Sequence, residues 1–203
     1  MVSFFSKNDK ELDQFLERWR PLMEQAMTSM PAELPQLPKS YVRFVINEWN
    51  RLYEVSGPEA RVGLAVFACR LNIHRYAVGM LIDRKPEVRL AGVKILGYVG
   101  DESNWAVLAS LARQKHQEVA FAALAALVRI NGRRAVEELL NEIVSRIDWS
   151  TADIIDLLKE TDTRVPSLER QLKQYLENQD VNQRYRVLRI MKLFGCEEPS
   201  SHT

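Results

Sequence analysis

The residues best suited to nucleophilic or metal chemistry are few and far apart in this sequence. The three histidines are His74, His116 and His202, and the two cysteines are Cys69 and Cys196. No pair of them has the spacing of a metal site on one helix face. Cys69 lies within an apolar stripe, where we expect a buried structural thiol, because a reactive thiolate needs an electropositive and partly open setting. We therefore predict no metal site, no cofactor and no catalytic residue.

Charged residues are balanced overall but clustered locally. There are 28 Lys and Arg against 27 Asp and Glu, a net charge of +1, which argues against a dedicated nucleic-acid binder because such a protein must neutralise phosphates. Residues 61–94 contain seven basic and two acidic residues, whereas residues 137–162 contain eight acidic and two basic residues. A second basic cluster comprises Arg184, Arg186, Arg189 and Lys192. These clusters are either solvated faces or surfaces that steer a partner of mixed or acidic charge.

The apolar pattern predicts an all-α chain. Apolar residues recur at spacings of three and four, and no run alternates in the manner of a strand. We expect helices at about residues 9–28 and 40–54, with a kink or restart at Pro21 and a proline-rich linker over residues 30–39. No apolar run approaches the roughly 20 residues that span a bilayer, and the charged residues after Phe5 do not fit a signal peptide.

From Pro58 onward the sequence repeats itself. At an offset of 31 residues, Glu87 matches Glu118, Val88 matches Val119 and Ala91 matches Ala122. A period of about 30 residues with two apolar stripes is typical of stacked helix pairs. The small residues Ala91 and Ala122 are expected where paired helices approach most closely. Pro58, Pro86 and Pro166 fit first helical turns. Gly100 and Gly132 fit helix ends, and Ser150 fits an N-cap.

The segment Lys85 to Asp101 resembles the first helix and turn of a HEAT repeat. Its Val88–Arg89 pair, the small residue Ala91 and the exit Gly100–Asp101 are usual marks of that family. The resemblance implies an all-α solenoid of HEAT type, also called armadillo-like, over residues 58–195. We expect about four units, of which the middle two match best and the last is incomplete, followed by a flexible tail at residues 196–203.

Residues 1–57 do not resemble HEAT repeats. The pieces Phe15–Leu22 and Trp49–Glu54 are similar to the helical lead-in of bacterial HEAT-domain proteins. Members of that group often carry one membrane helix ahead of this region, and some occur beside glycosyltransferases of polysaccharide synthesis. The resemblance implies two N-terminal helices that cap the first repeat. It also implies that the chain is either a piece lacking that membrane helix or a relative without one.

The resulting functional hypothesis is a bacterial, cytoplasmic, non-enzymatic scaffold that binds another protein. The lead-in resemblance suggests an adaptor of a membrane-associated exopolysaccharide system, with a glycosyltransferase or a membrane complex as partner. Second helices of successive pairs would supply most contacts, and the terminal helix would supply the rest. The candidate partner-binding residues are Arg75, Asn104, Arg113, Arg133, Arg134, Arg186 and Arg189.

Two enzymatic alternatives remain open at the level of sequence. The first is a DNA glycosylase or another nucleic-acid-binding repair protein. Some DNA glycosylases consist of HEAT-like repeats and use an acidic residue with tryptophans on a damaged base, and Asp148–Trp149 offers such a pair. The acidic stretch around this pair would repel a phosphate backbone, and Trp149 also fits a hydrophobic staple before the helix at Ser150. Short HEAT-like repeats also occur in pigment lyases, which is the second enzymatic alternative.

Overall fold

The computed structural model describes residues 7–159, 161, 166–177 and 181–196. Within these residues the chain forms ten α-helices and no strand, which confirms the predicted all-α class. In chain order they are α1 (Lys7–Ala26), α2 (Val42–Val55), α3 (Pro58–Arg70), α4 (Ile73–Met80), α5 (Pro86–Val99), α6 (Trp105–Ala112), α7 (Gln117–Ser145), α8 (Thr151–Leu158), α9 (Pro166–Glu177) and α10 (Val181–Leu193). The predicted tail beyond Cys196 lies outside the described residues.

Two compact units divide the chain. Unit 1 comprises Met1–Val99 and contains α1 to α5, and unit 2 comprises Gly100–Thr203 and contains α6 to α10. The boundary at residue 57, which we placed from the repeat pattern, remains a prediction about where the repeats begin.

The first helix packs on the two helices that follow it in unit 1. α1 contacts α2 and α3 and buries Trp19, Met23 and Ala26. Pro21 lies inside α1, so the expected restart does not occur. Pro21 is exposed, and the carbonyl that loses its helical donor there can bond to water, which allows the helix to continue.

The second helix is held by two side chains that reach the backbones of neighbouring helices. Trp49 Nε1 donates to the Leu64 carbonyl of α3 at 2.8 Å, and Asn50 Nδ2 donates to the Ala91 carbonyl of α5 at 2.9 Å. Both side chains are buried. Because buried polar groups are costly when left unpaired, these bonds fix the register of α2 against α3 and α5.

Glycine, rather than alanine, marks the closest approaches between helices in unit 1. A Cβ on Gly63 of α3 would overlap the Ala26 carbonyl of α1, and a Cβ on Gly92 of α5 would lie 2.9 Å from the Ala77 carbonyl of α4. The expectation for Ala91 is nearly right, because it is buried beside Gly92. Ala122 is half-buried, and its place at a close approach between helices stays a prediction.

The long helix α7 is interrupted at Asn131, which separates the segments that we name α7a (residues 117–130) and α7b (residues 132–145). Leu139, within α7b, also departs from helical geometry, with φ −118° and ψ 17°. Asn131 has φ −157° and ψ 92°, which interrupts the helix. Its Oδ1 accepts from the Arg134 backbone N–H at 3.1 Å and so caps α7b. The helix end expected at Gly132 therefore comes one residue earlier, without a left-handed residue. Gly100, by contrast, has the predicted left-handed backbone, with φ 77°.

A buried carboxylate links α1 to α2 and makes unit 1 sensitive to acid. Glu48 accepts from Arg20 Nε at 2.9 Å and from Arg51 Nη2 at 2.7 Å. Its hydrogen bonds to Arg51, and then those to Arg20, outweigh burial and lower its pKa below 4.5. Since the folded state holds the charged form, this stabilisation is complete above the ordinary carboxyl pKa and is lost as the pH falls through the lowered value.

We therefore expect Glu48→Gln to lower the free energy of unfolding by about 1 kcal/mol at neutral pH. The difference from the parent protein should shrink as the pH is lowered below 4.5, the ordinary value for this carboxyl, because the parent then loses the same charge. Urea denaturation at a series of pH values measures both effects. Glu17→Gln, an exposed change on α1, is the control and should show no such convergence. A constant difference across the pH range would contradict this role for Glu48.

Candidate functional site

Three of the predicted partner-binding arginines come together in unit 2. Arg133 and Arg134 lie in the first turn of α7b, and Arg113 follows α6 directly. α6 packs against α7, so these side chains extend over one surface formed by α6 and α7b. All three are partly exposed, with side-chain exposures of 61%, 44% and 47% in the same order.

Glu138 is the centre of this surface. Its Oε1 accepts from Arg134 Nε at 2.7 Å, and its Oε2 accepts from Trp105 Nε1 at 2.7 Å. The Arg134 guanidinium also lies over the Trp105 ring, 4.2 Å from its centroid. These two hydrogen bonds, the one from Arg134 first, lower the pKa of Glu138. The carboxylate therefore stays charged and fixes the orientations of both partners.

Arg113 extends the same arrangement along α7b. It donates to Glu142 Oε1 at 3.2 Å and to the Glu138 carbonyl at 3.2 Å. Arg133 pairs with Glu137 at 3.3 Å. Alternating basic and acidic groups thus cover the exposed side of α7b, and we call this set the charge ladder: Arg113, Arg133, Arg134, Glu137, Glu138 and Glu142.

The acidic stretch at residues 137–162 is therefore less negative than its composition indicates. Five of its carboxylates pair with basic side chains, among them Asp148 with Arg146 at 2.5 Å and Asp156 with Lys159 at 2.5 Å. Three of the five basic partners, Arg113, Arg133 and Arg134, precede residue 137 in the sequence. A count of charges restricted to residues 137–162 therefore omits them. The expectation of a strongly negative surface is thus wrong for this part of unit 2.

A groove of about 390 Å³ lies beside the charge ladder, between α7b and α9. Its lining combines apolar surface with amide, phenol and carboxylate groups. The lining residues are Glu137, Glu138, Leu140, Asn141, Gln171, Gln174 and Tyr175. The Tyr175 hydroxyl donates to Asn141 Oδ1 at 3.3 Å and so connects the two walls. Burial, and then the charge of Glu142, raise the pKa of Tyr175, which keeps this hydroxyl a donor.

The α9 side of this groove was not predicted from the sequence. Leu168 and Leu172 are buried, as their stripe predicts, and the polar residues Gln171, Gln174 and Tyr175 follow at the same helical spacing on another face. That second, polar stripe was the available signal. The pairing of α9 with α7b joins residues 34 apart, and no local pattern predicts such a contact.

Two predicted partner-binding residues are buried within unit 2. Asn104 precedes α6 and is 8% exposed, with its Nδ2 directed to the Asp101 carbonyl at 3.4 Å. Arg186 of α10 is 7% exposed. Both assignments to a partner surface are wrong, because these side chains already bond to the chain's own backbone.

The side chain of Arg186 binds the C-terminal end of α7b. Its guanidinium donates to the carbonyls of Ile143 and Val144, at 3.3 and 3.2 Å, which lie in the last turn of that helix. It also donates to the carbonyls of Arg146 and Trp149, at 2.6 and 2.5 Å. Burial lowers the pKa of Arg186, opposed by the charge of Asp148. A cation at a helix C-terminus satisfies carbonyls that have no helical donor.

The other two predicted residues are exposed. Arg189 lies on α10, with its guanidinium 6.0 Å from the centroid of the Tyr185 ring. Arg75 lies in the first turn of α4, in unit 1. Both remain available to a partner.

The residues that the sequence offered for metal or thiol chemistry do not come together in the described part of the chain. No group of three or more histidine, cysteine or acidic side chains could hold a metal ion in this part of the chain. Cys69 is exposed rather than buried, because its position on α3 faces away from Leu64, Phe67 and Ala68, which form the packed side. His202 lies outside the described residues.

The pair Asp148–Trp149 is not arranged to act on a base. Trp149 is 2% exposed and packs edge-on against Phe121 at 5.5 Å between ring centroids. The Arg146 guanidinium lies over its ring and also binds Asp148. Trp149 therefore packs before the helix that Ser150 caps, whose Oγ accepts from the Asp153 backbone N–H at 3.0 Å.

A comparison with protein families identifies the repeated helices. Residues 78–159, from α4 to just past α8, match the model described as HEAT repeats. This part of the chain is therefore similar to HEAT repeats. Proteins built from HEAT repeats in general bind other proteins and are not enzymes. No curated protein and no solved structure matches the chain. Among the described residues, no helix has the length and apolar character needed to cross a membrane.

Proposed function

We propose that this HEAT-repeat chain is a non-enzymatic module that binds an extended segment of a partner protein. The observation that carries the proposal is the groove between α7b and α9, with the charge ladder beside it. The lining side chains project from two helices, which hold them at fixed positions. Pre-organised side chains lose less conformational entropy on binding than side chains on loops.

The lining of the groove suits a peptide backbone. Asn141, Gln171 and Gln174 each carry an amide that can donate and accept. A peptide in extended conformation presents N–H and C=O groups alternately, and both need partners when they leave water. Amide side chains can pair with either group, whereas a carboxylate can only accept. The groove therefore favours backbone recognition that depends little on the partner's own side chains.

The charge ladder would supply specificity. Each ladder glutamate is already paired with an arginine, so the surface has little net charge to attract a strongly charged partner. Exposed pairs of this kind contribute little to stability and can exchange for pairs with a partner at small cost. A partner with alternating acidic and basic residues fits this pattern better than a nucleic acid does.

The biological setting that we propose is a cytoplasmic adaptor for a membrane-associated exopolysaccharide system. Its support is the resemblance of the segments Phe15–Leu22 and Trp49–Glu54 to the lead-in of bacterial proteins found beside glycosyltransferases. The partner would then be a glycosyltransferase or a membrane complex, and this chain would reach the membrane through it.

The double variant Asn141→Ala with Gln174→Ala tests the groove. Both residues are exposed, so the fold should remain intact. If the groove binds a partner's backbone, affinity should fall by about tenfold or more, since each lost hydrogen bond in a buried contact counts for roughly 1 kcal/mol. Partners are first isolated from the native host with the parent chain as bait, and affinities are then measured by isothermal titration with the purified partner.

The matched control is Gln114→Ala with Asn182→Ala, which removes the same two side-chain types from other exposed positions in unit 2. It should bind as the parent does. Equal affinity of the parent and the groove variant for every isolated partner would contradict the assignment of this groove.

A further inference from the structure

The outer side of α4 in unit 1 is an apolar surface that none of the unit's described residues covers. The inner side of the helix buries Ile73, Ala77 and Leu81. On the opposite side, Val78 is 41% exposed and Ile82, in the turn after the helix, is 86% exposed. Gly79 lies between them, with no atom within 4 Å of where its Cβ would be. A second chain can therefore approach this backbone closely.

Basic side chains border this apolar strip. Arg75 precedes it on the same helix face, and Arg84 and Lys85 follow Ile82 in the turn that leads to α5. In the part of the chain that the structure describes, no ion pair joins any of the three to a carboxylate. The nearest acidic residue in sequence, Asp83, uses Oδ1 to accept from the Lys85 backbone N–H at 2.8 Å.

The turn that carries Arg84 and Lys85 is held in place. Arg89 of α5 donates from Nη1 to the carbonyls of Asp83 and Arg84, at 2.8 and 3.2 Å. The Asp83 backbone N–H bonds in turn to the Met80 carbonyl at 3.1 Å. The two cations therefore extend from a fixed turn, so binding would not require ordering of a loop.

We propose that this surface docks an acidic protein segment that carries aliphatic side chains. We call it the α4 patch and define it by Arg75, Val78, Gly79, Ile82, Arg84 and Lys85. The inference rests on the proposed protein-binding function, to which it adds a second surface and a class of partner. Aliphatic side chains of the segment cover Val78 and Ile82, and its carboxylates pair with the three cations. Clusters of unpaired cations around exposed apolar side chains favour such a partner in both rate and specificity.

The charges favour a protein segment over an anionic membrane. Glu87, which is exposed, lies in the first turn of α5, two residues after Lys85, and a flat anionic surface would meet its charge as well as that of Asp83. A peptide can place its carboxylates away from both. The two exposed aliphatic side chains also provide little area for insertion into a bilayer, where binding strength scales with buried apolar area.

Selection of binding peptides from a random dodecapeptide library displayed on phage, with the full chain as target, tests the proposal. The selected peptides are then tested for binding to variants of the chain, which shows the surface that each peptide binds. The patch variant is Arg84→Glu with Lys85→Glu, and its control, Lys115→Glu with Arg184→Glu, makes the same change in net charge at exposed positions of unit 2. Peptides that the patch variant loses should be rich in Asp, Glu, Ile, Leu and Val, and should bind the parent at least about tenfold more tightly than the variant.

A second pair of variants tests the apolar part. Ile82→Ser should weaken the same peptides several-fold, whereas Ile147→Ser, at a position of similar exposure (81%) in unit 2, should leave them unaffected. The inference is overturned if no selected peptide distinguishes the patch variant from its control. It is also overturned if the distinguishing peptides lack acidic residues, or if vesicles of phosphatidylcholine and phosphatidylserine retain the parent while no peptide does. Peptides lost only by the Asn141→Ala, Gln174→Ala variant would support the groove and reject the patch, so the two proposals can fail separately.

Discussion

Replacement of Arg186 by methionine is expected to lower the free energy of unfolding by about 3–5 kcal/mol. The guanidinium is buried and donates to the carbonyls of Ile143, Val144, Arg146 and Trp149. Methionine fills part of the same space but donates no hydrogen bond. Carbonyls at the end of α7b then lose their donors away from water, and each unsatisfied buried group costs roughly 1–3 kcal/mol.

The matched controls are Arg184→Met and Arg189→Met, on the same helix at exposed positions. Each should change the free energy of unfolding by less than about 0.5 kcal/mol. Urea denaturation followed by far-ultraviolet circular dichroism measures all three. Arg186→Lys should lie between the parent and Arg186→Met, because an ammonium group cannot reach carbonyls on several sides at once. A denaturation midpoint for Arg186→Met equal to those of the two controls would show that these hydrogen bonds of Arg186 are not formed in solution.

Arg186 also shows why charge patterns in sequence are ambiguous. It lies among Arg184, Arg189 and Lys192, and the sequence gives it no feature that the exposed members lack. What distinguishes it is the direction of its side chain on α10 and the presence of unpaired carbonyls about 40 residues earlier, at separations of 37 to 43. A surface assignment based on charge alone treats all four residues alike, and for Arg186 it is wrong.

Local features were predictable because their causes are local. Ser150 caps α8 as expected, since its partner is the backbone N–H of Asp153 three residues later. The left-handed Gly100 and the helix starts at Pro58, Pro86 and Pro166 depend only on backbone sterics at those positions. Trp105 packs in the core as predicted from its apolar counterpart, but its hydrogen bond to Glu138 joins residues 33 apart and has no sequence signature.

Close approaches between helices were only partly predictable from the sequence. The repeat pattern favoured alanine as the contact residue, and Ala91 is indeed buried. The tighter requirement is at Gly63 and Gly92, where any Cβ would meet backbone or a neighbouring side chain. A glycine inside a helix lowers its intrinsic stability, so its presence there was a usable signal of close packing. Gly79 has the same sequence context without any such contact, which means that the signal alone does not separate the two kinds of glycine.

The contrast between these glycines gives the final prediction. Gly63→Ala should lower the free energy of unfolding by about 3 kcal/mol, at the upper end of the usual cost of overpacking, because the new methyl group would overlap the Ala26 carbonyl of α1. That atom belongs to the backbone and cannot turn aside as a side chain could, so α1 and α3 must separate. Gly92→Ala should cost less, since its closest contact, the Ala77 carbonyl, is at 2.9 Å.

Gly79→Ala is the internal control and should have the opposite sign. Its Cβ would project into open space, so the change should stabilise α4 by about 0.5–1 kcal/mol through the lower flexibility of the unfolded chain. Urea midpoints measured with tryptophan fluorescence compare the three variants, provided that the slope of the transition is unchanged. If Gly63→Ala and Gly79→Ala shift the midpoint equally, or both raise it, then α1 does not pack against Gly63. The N-terminal helix would in that case contribute nothing to covering α3, and the role assigned to α1 in unit 1 would be rejected along with the contact.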